Sequence, residues 1–163
     1  MKYAFTIMTA GLFLSILGAC SNSEDEAAEL VEAQKLIDDQ LIQNYLSKNN
    51  INATKSYSGL YYVIIDEGEE GNDYPTSDAT VTLEYKGYFL DGEVFENLGD
   101  REEAFVIGLW QLVDGIKEGV QLIKRGGEIQ LFIPSHLGYG NNDQGIIPAN
   151  SVMVYEIKLI DFE

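Results

Sequence analysis

Alternating apolar and polar residues limit what this chain can fold into. The period of two is clear over residues 81–86 and returns over residues 152–161. Successive side chains of a β-strand point to opposite faces of a sheet, so the pattern predicts strands with one buried face. Asp91-Gly92 is a strong hairpin signal, and residues 93–95 then return as the next strand.

A helical period separates the predicted strands. Residues 111–125 place apolar side chains three and four positions apart, which predicts one short helix that ends at Gly126-Gly127. Further strands are predicted over residues 59–65 and 128–134. Several antiparallel strands around one short helix indicate an α+β fold, in which the β-sheet wraps over the helix.

An N-terminal helix is predicted over residues 27–48, ahead of this domain. Its apolar side chains fall on one stripe, and Asn49-Asn50 ends it. The stripe either packs on the following domain, which we favour, or forms a spacer or a homodimer interface. About three heptads are too few to require a coiled coil. We assign residues 27–53 to a helical segment and residues 54–163 to the globular domain.

The first twenty residues have the layout of an export signal. Lys2 precedes an apolar run that is shorter than the ~20 residues of a membrane-spanning helix. The run closes with Leu-Gly-Ala-Cys, which resembles the lipobox of bacterial lipoproteins and uses the sole cysteine, Cys20. The resemblance implies a signal peptide over residues 1–19 and acylation of Cys20, for example by palmitate. An ordinary signal peptide with an incidental cysteine is the alternative.

Acylation of Cys20 would place the protein in the bacterial cell envelope. Several acyl chains give durable membrane anchoring, and residues 20–26 are polar and charged, as expected of a tether. The expected location is the outer membrane, on its periplasmic side or at the cell surface.

Composition excludes several classes of function. The formal charge of −17 argues against a nucleic-acid partner, because phosphates would be repelled. One cysteine and one histidine make neither an intrachain disulfide nor a Cys/His zinc cluster. Motifs for a serine nucleophile, a phosphate loop or a zinc protease are absent from the sequence. A reaction on this chain must therefore need neither covalent nor metal chemistry.

Five consecutive segments resemble the FKBP-type peptidyl-prolyl cis/trans isomerases. They are VTLEYKGYFLDGEVFE (81–96), FVIG (105–108), LVDGIKEGVQLIKRGGEIQLFIP (112–134), LGYG (137–140) and GIIPANSVMVYEIKLI (145–160). The resemblance implies an antiparallel sheet wrapped over a short α-helix, and isomerisation of X–Pro bonds without a cofactor or a metal.

The resemblance also implies a pocket, residue by residue. Ile116 stands where the family most often has Trp, and Glu96 stands where it usually has Asp. A backbone N–H at Val113 and the Tyr139 hydroxyl are expected to hold substrate carbonyls. The implied catalytic residues are Tyr85, Phe95, Glu96, Val113, Tyr139 and Tyr155, and the implied substrate-binding residues are Leu112, Ile116, Ile146 and Ile147.

The function implied is assistance to folding. Rotation about an X–Pro amide is slow because resonance must be broken, and a dry apolar pocket favours the less polar twisted amide. Proline-containing unfolded or nascent envelope polypeptides are the expected partners. Ile116 and a short 97–104 segment keep an alternative open, a catalytically weak binding module or chaperone of the same fold. A purely structural lipoprotein is a weaker third interpretation.

Overall fold

The computed structural model describes residues 23–69, 71, 73–99 and 105–163. The predicted signal peptide and Cys20 lie outside these residues, so both stay predictions. The first helix begins at Ser23, so the last residues of the predicted tether are helical. In the part of the chain that the structure describes, every helix is too short or too polar to cross a lipid bilayer.

The elements follow one another in the order that the sequence patterns predict, with short additions. Helices α1 and α2 correspond to the predicted helices, and β2, β3, β4, β6 and β7 correspond to the predicted strands. The bounds are α1 Ser23–Asn49, β1 Thr54–Lys55, β2 Tyr61–Asp66, β3 Thr80–Phe89, β4 Val94–Asn97, β5 Phe105–Gly108, α2 Asp114–Val120, β6 Glu128–Ile133 and β7 Met153–Phe162, with 3₁₀ turns at Leu109–Gln111 and Ser135–Leu137.

The strands form one seven-stranded antiparallel sheet. Its order is β1-β2-β6-β7-β3-β4, and β5 also pairs with β3. The long strands β3 and β7 lie at its centre, with Tyr85 opposite Ile157 and Gly87 opposite Tyr155. The fold class predicted from the sequence, an antiparallel sheet wrapped over a short helix with an N-terminal helix, is confirmed.

Helix α2 packs on one face of the sheet, here called the inner face. A Cβ added at Gly115 or Gly119 would come within 3.0 Å of Ile133 or Leu131 on β6, so these glycines allow the helix to lie close against the strand. The alternating apolar residues point to this face and form the main core with α2. Its fully buried members include Val81, Leu83, Val120, Ile129, Leu131, Ile133, Met153 and Leu159.

The predicted length of this helix is wrong. Helix α2 covers Asp114–Val120 rather than residues 111–125, and Val113 is already extended, with φ −64° and ψ 153°. Beyond Val120 the chain turns, and the amide of Leu122 donates to the carbonyl of Gly119 at 3.0 Å. The apolar spacing continued past the helix because Leu112 and Ile123, which flank it, fill the same core.

Helix α1 packs on the opposite, outer face of the sheet. Ile42 and Leu46 are buried there against Phe132 and Val154. Another face of the helix is not covered, because Leu30, Ile37 and Leu41 are 72%, 49% and 46% exposed. The predicted packing on the domain therefore holds for Ile42, Leu46 and the half-buried Tyr45, and not for Leu30, Ile37 and Leu41.

Candidate active site

A cluster of aromatic rings lies on the inner face, where β3, β4 and β7 meet. The ring of Tyr155 contacts those of Tyr85 and Phe95, with centroids 5.7 and 5.6 Å apart, both edge to face. Phe105 meets Tyr85 at 5.8 Å, and Phe89 meets Phe95 at 4.9 Å. Edge-to-face rings at these distances attract one another beyond simple area burial. We call these five rings the aromatic cluster.

The structure places most of the predicted pocket residues in the same inner core as these rings. Tyr85, Ile116, Ile147 and Tyr155 are buried members of the inner core. A second group packs against them and stays half-buried, namely Phe95, Leu112, Val113 and Tyr139. These four side chains keep part of their surface exposed to solvent.

Two predicted residues stand apart from this core. Glu96 follows Phe95 on β4, is half-buried, and is close enough to Tyr139 and Tyr155 for its charge to affect both hydroxyls. Ile146 is 66% exposed, whereas its neighbour Ile147 is buried. Ile146 therefore offers its side chain to solvent at the edge of the site.

Local backbone geometry explains how Phe95 reaches Tyr155. Gly87 pairs with Glu96 and Tyr88 pairs with Val94, so Phe95 occupies a bulge in β4. A Cβ at Gly87 would fall within 3.0 Å of both the Phe95 and Tyr155 rings. The ring contact therefore needs a glycine at this position of β3, since any larger residue would occupy its place.

The loop that carries Tyr139 is fixed by backbone hydrogen bonds. The amides of Gly138 and Gly140 both donate to the carbonyl of Ser135, at 2.9 and 2.8 Å. The amide of Asn142 donates to the carbonyl of Tyr139 at 3.1 Å. Tyr139 is thus held on both sides, with its ring packed against the inner core.

Burial governs the electrostatics of the site. Loss of solvent raises the pKa of Tyr155 strongly, and the neighbouring Tyr139 and Glu96 raise it further. Burial also raises the pKa of Tyr139, with a second contribution from the negative charge of Glu96. Both hydroxyls are therefore protonated at neutral pH and can serve as hydrogen-bond donors in apolar surroundings.

Val113 occupies the N-cap position of α2. Its carbonyl accepts from the amides of Ile116 and Lys117, both at 3.0 Å. The N–H of an N-cap residue is not part of the intrahelical ladder. The predicted use of the Val113 N–H to hold a substrate carbonyl is compatible with this position and stays a prediction.

Sequence reasoning missed two contributors to the site. Phe105 was noted within a motif but given no role, although its ring packs on Tyr85. Leu98 is 3% exposed, and its amide donates to the carbonyl of Tyr85 at 2.8 Å. No periodicity in the sequence marks Phe105, and it lies beside Tyr85 because Leu83 of β3 pairs with Phe105 of β5.

The described part of the chain holds no group of three or more His, Cys, Asp or Glu side chains arranged to bind a metal ion. Two grooves lie on the outer face of the sheet. One, of about 280 Å³, lies beside Lys86 and Lys158, and another, of about 300 Å³, lies between α1 and Tyr57.

Known proteins are similar to this chain in both sequence and fold. A family model for the FKBP-type peptidyl-prolyl cis-trans isomerases matches residues 71–160. The chain is 36% identical over 140 residues to the FKBP-type isomerase FkpA of Buchnera aphidicola from Schizaphis graminum, covering 83% of this chain and 55% of that protein. It is 37% identical over 106 residues to FkpA of Escherichia coli K12, covering 65% of this chain and 38% of that protein.

Solved structures agree with this. The crystal structure of FkpA from Escherichia coli matches with a TM-score of 0.70 at 30% identity, covering 86% of this chain and 66% of that one. The crystal structure of AtFKBP13 shares the fold, with a TM-score of 0.61 at 24% identity and coverage of 69% of this chain and 99% of that one.

The chain spans about half the length of the curated relatives it matches, or less. The matched segment nevertheless covers more than half of this chain, and it includes β3 to β6, most of β7, α2 and the whole aromatic cluster. On this ground the chain belongs to the FKBP-type peptidyl-prolyl cis-trans isomerase family.

Proposed function

We propose that this protein isomerises X–Pro peptide bonds in unfolded polypeptides and thereby assists their folding. The observation that carries the proposal is the aromatic cluster on the inner face, together with half-buried Phe95, Val113 and Tyr139, which pack against the same core. This arrangement is apolar, partly open and lined by neutral hydroxyl donors. Family membership supports the same activity.

The proposed mechanism works through the surroundings of the amide. The barrier to rotation is about 18–20 kcal/mol because the planar amide is stabilised by resonance. A planar amide is more polar than a twisted one, so apolar surroundings penalise the ground state more than the transition state. The proline ring would rest on Tyr85, Ile116 and Tyr155, while Tyr139 and the Val113 N–H would hold the flanking carbonyls.

Ile116 gives this site its own shape. It is 4% exposed on the inner side of α2. An isoleucine is smaller than the aromatic residue that the family usually carries there, and it has no flat ring to stack on. We expect an active isomerase with a changed preference for the residue that precedes proline.

The experiment is an isomerase assay of the full-length protein on a series of X–Pro peptides. We expect Phe95→Ala to lower kcat/KM about tenfold, equivalent to ~1.4 kcal/mol of transition-state stabilisation. Tyr139→Phe removes only a hydroxyl and should have a smaller effect. Tyr57→Phe is its matched control, because Tyr57 is fully exposed beside α1. A wild-type protein that does not exceed the uncatalysed rate would overturn the proposal.

A second candidate function is binding without efficient turnover. Ile116 replaces the aromatic residue usual in the family, and Ile146 is exposed. Both features suit a surface that binds unfolded chains. Suppression of aggregation by the wild-type protein, together with unaccelerated isomerisation, would favour this chaperone function. Loss of that suppression in Phe95→Ala would indicate that unfolded chains bind at the aromatic cluster.

We further propose that the protein is a lipid-anchored component of the bacterial envelope, whose substrates are envelope polypeptides. The Leu-Gly-Ala-Cys segment ending at Cys20 supports this, together with the apolar run before it. Mass spectrometry of the N-terminal peptide should find an acylated Cys20, and Cys20→Ser should release the protein from the membrane fraction. An unmodified thiol on a membrane-free protein would contradict the proposal.

The exposed apolar face of α1 supports a homodimer. Leu30, Ile37 and Leu41 lie seven and four residues apart, so they share one face of the helix. A second copy of the same helix would cover this apolar face. We expect Ile37→Glu to convert a dimer to a monomer in light scattering, and Glu32→Lys, a charge change on the same helix, to leave it dimeric.

A further inference from the structure

A buried carboxylate connects helix α1 to the turn that follows β6. Asp38 lies on α1 at the outer face and is 0% exposed. Its Oδ2 accepts from the backbone N–H of Ser135 at 2.8 Å and from the Ser135 hydroxyl at 2.6 Å, and its Oδ1 accepts from Gln34 at 2.7 Å. A buried carboxylate is costly unless such donors surround it, so these bonds hold the two segments firmly together.

Ser135 passes this restraint to the loop of the candidate active site. It is itself buried and begins the Ser135–Leu137 turn, so the Asp38 carboxylate acts as a cap on that turn. On its other side, the Ser135 carbonyl accepts from the amides of Gly138 and Gly140. These glycines flank Tyr139, so a single residue connects the helix to the backbone on both sides of Tyr139.

We propose that Asp38 is a positioning residue for Tyr139, so that helix α1 is part of the catalytic unit although it lies on the face opposite the substrate. The proposal rests on the proposed isomerase function and on the role of the Tyr139 hydroxyl in it. Asp38 does not touch the substrate. It acts through Ser135 on the direction in which Tyr139 presents its hydroxyl.

The next residue along the helix provides an internal comparison. Asp39 accepts from the hydroxyl of Tyr61 at 2.7 Å and from Gln43 at 2.7 Å, and it pairs with Lys55. The contacts with Tyr61 and Lys55 also dock α1 on the sheet, but they end on β2 and β1 and do not reach the Tyr139 loop. Tyr61→Phe therefore weakens helix docking without touching Ser135.

The experiment measures kcat and KM of the full-length protein on one X–Pro peptide. We expect Asp38→Ala to lower kcat about threefold, no more than Tyr139→Phe does, with little change in KM, because a misplaced hydroxyl costs transition-state contact. Asp38→Asn keeps an oxygen that can face Ser135 and should restore part of the rate. Tyr61→Phe should retain the wild-type rate.

A double variant tests whether the effect passes through Tyr139. In the Tyr139→Phe background there is no hydroxyl left to place, so Asp38→Ala should lower kcat no further. Multiplied losses would mean that Asp38 supports the fold generally, and they would overturn the proposal. Should Asp38→Ala fail to fold, Ser135→Ala removes one of the same bonds and should show the same dependence on Tyr139.

Amide hydrogen exchange gives a readout that does not depend on activity. Exchange at Gly138 and Gly140 should accelerate in Asp38→Ala and stay at the wild-type rate in Tyr61→Phe. Equal exchange in both variants would overturn the proposal even if the wild-type protein shows no isomerase activity. Wild-type inactivity with accelerated exchange would instead reject the proposed function and leave the coupling between Asp38 and the loop in place.

Discussion

The two faces of the sheet are built from the same strands but hold their helices differently. On the inner face α2 packs through glycines and apolar side chains, and the aromatic cluster continues this core. On the outer face α1 combines apolar Ile42 and Leu46 with the buried carboxylate of Asp38 and the network around Asp39. Beyond α1, the outer face is charged and open around Lys158.

This difference shows how one sheet can bind substrate on one face and hold helix α1 on the other. Apolar contacts are not directional, so the inner face can offer side chains such as Phe95 to many sequences around a proline. Hydrogen bonds to a buried carboxylate are directional and costly to break, so the outer face holds α1 in one orientation. The predictions that follow probe this division.

The largest effect is expected on the outer face, at Phe132. This side chain is 0% exposed beneath α1, and its ring lies 5.8 Å from that of Tyr45. Phe132→Ala should lower the free energy of unfolding by about 3–5 kcal/mol, because it removes buried surface and leaves a cavity. Urea denaturation measures the change. A loss below that of an exposed aromatic such as Tyr57→Ala would show that α1 contributes nothing to stability.

Gly87→Ala should test the inner face with a single added methyl group. The new Cβ would press on Phe95 and Tyr155. Overpacking of this kind costs about 1–3 kcal/mol of stability, and displacement of Phe95 should also lower kcat/KM. Gly99→Ala is a steric control, because Gly99 does not have a positive φ and its added Cβ would meet only the Asn97 side chain, at 3.6 Å. If Gly87→Ala keeps full activity, the ring contact is not needed for the site.

Alkaline pH should weaken both faces through buried tyrosines. Burial raises the pKa of Tyr155 on the inner face, and burial with a hydrogen bond to Glu156 raises the pKa of Tyr88 on the outer face. The unfolded chain releases these protons from about pH 10, whereas the folded protein retains them. Stability should therefore be intact below pH 10 and fall as the pH rises above it.

Denaturation midpoints between pH 8 and pH 11 measure this loss. Tyr88→Phe and Tyr155→Phe should each flatten the decline, because a phenylalanine has no proton to release. Identical slopes in wild type and both variants would show that neither hydroxyl is linked to folding.

The smallest effect is expected at the uncovered end of the outer face. Lys158 pairs with Glu128 at 2.9 Å, and both side chains are more than 40% exposed. Solvent and salt screen such pairs, so Lys158→Gln should leave both the denaturation midpoint and kcat/KM unchanged. A measurable fall in kcat/KM would indicate that this end of the sheet contributes to substrate binding.

Much of the candidate site was predictable because it follows strand alternation and a recognisable set of motifs. Tyr85 and Tyr155 occupy the inner face by their parity along β3 and β7. Phe105 was missed because the residues around it do not alternate between apolar and polar. The short strand β5 is defined by its pairing with β3, which only the structure shows. The ends of α2 were misplaced because apolar residues in the flanking turns continue the helical spacing.

The sequence by itself determined which side chains share a face, the presence of a short helix against the sheet, and membership of this family. Those properties are local, since period and motif depend on neighbours along the chain. Only the tertiary structure decided that Ile42 and Leu46 of α1 are buried while Leu30, Ile37 and Leu41 stay exposed, and that Asp38 reaches Ser135 across 97 positions of sequence. A hydrogen bond between residues far apart in the sequence depends on which segments are close in space, and the periodicity of the sequence does not encode that proximity.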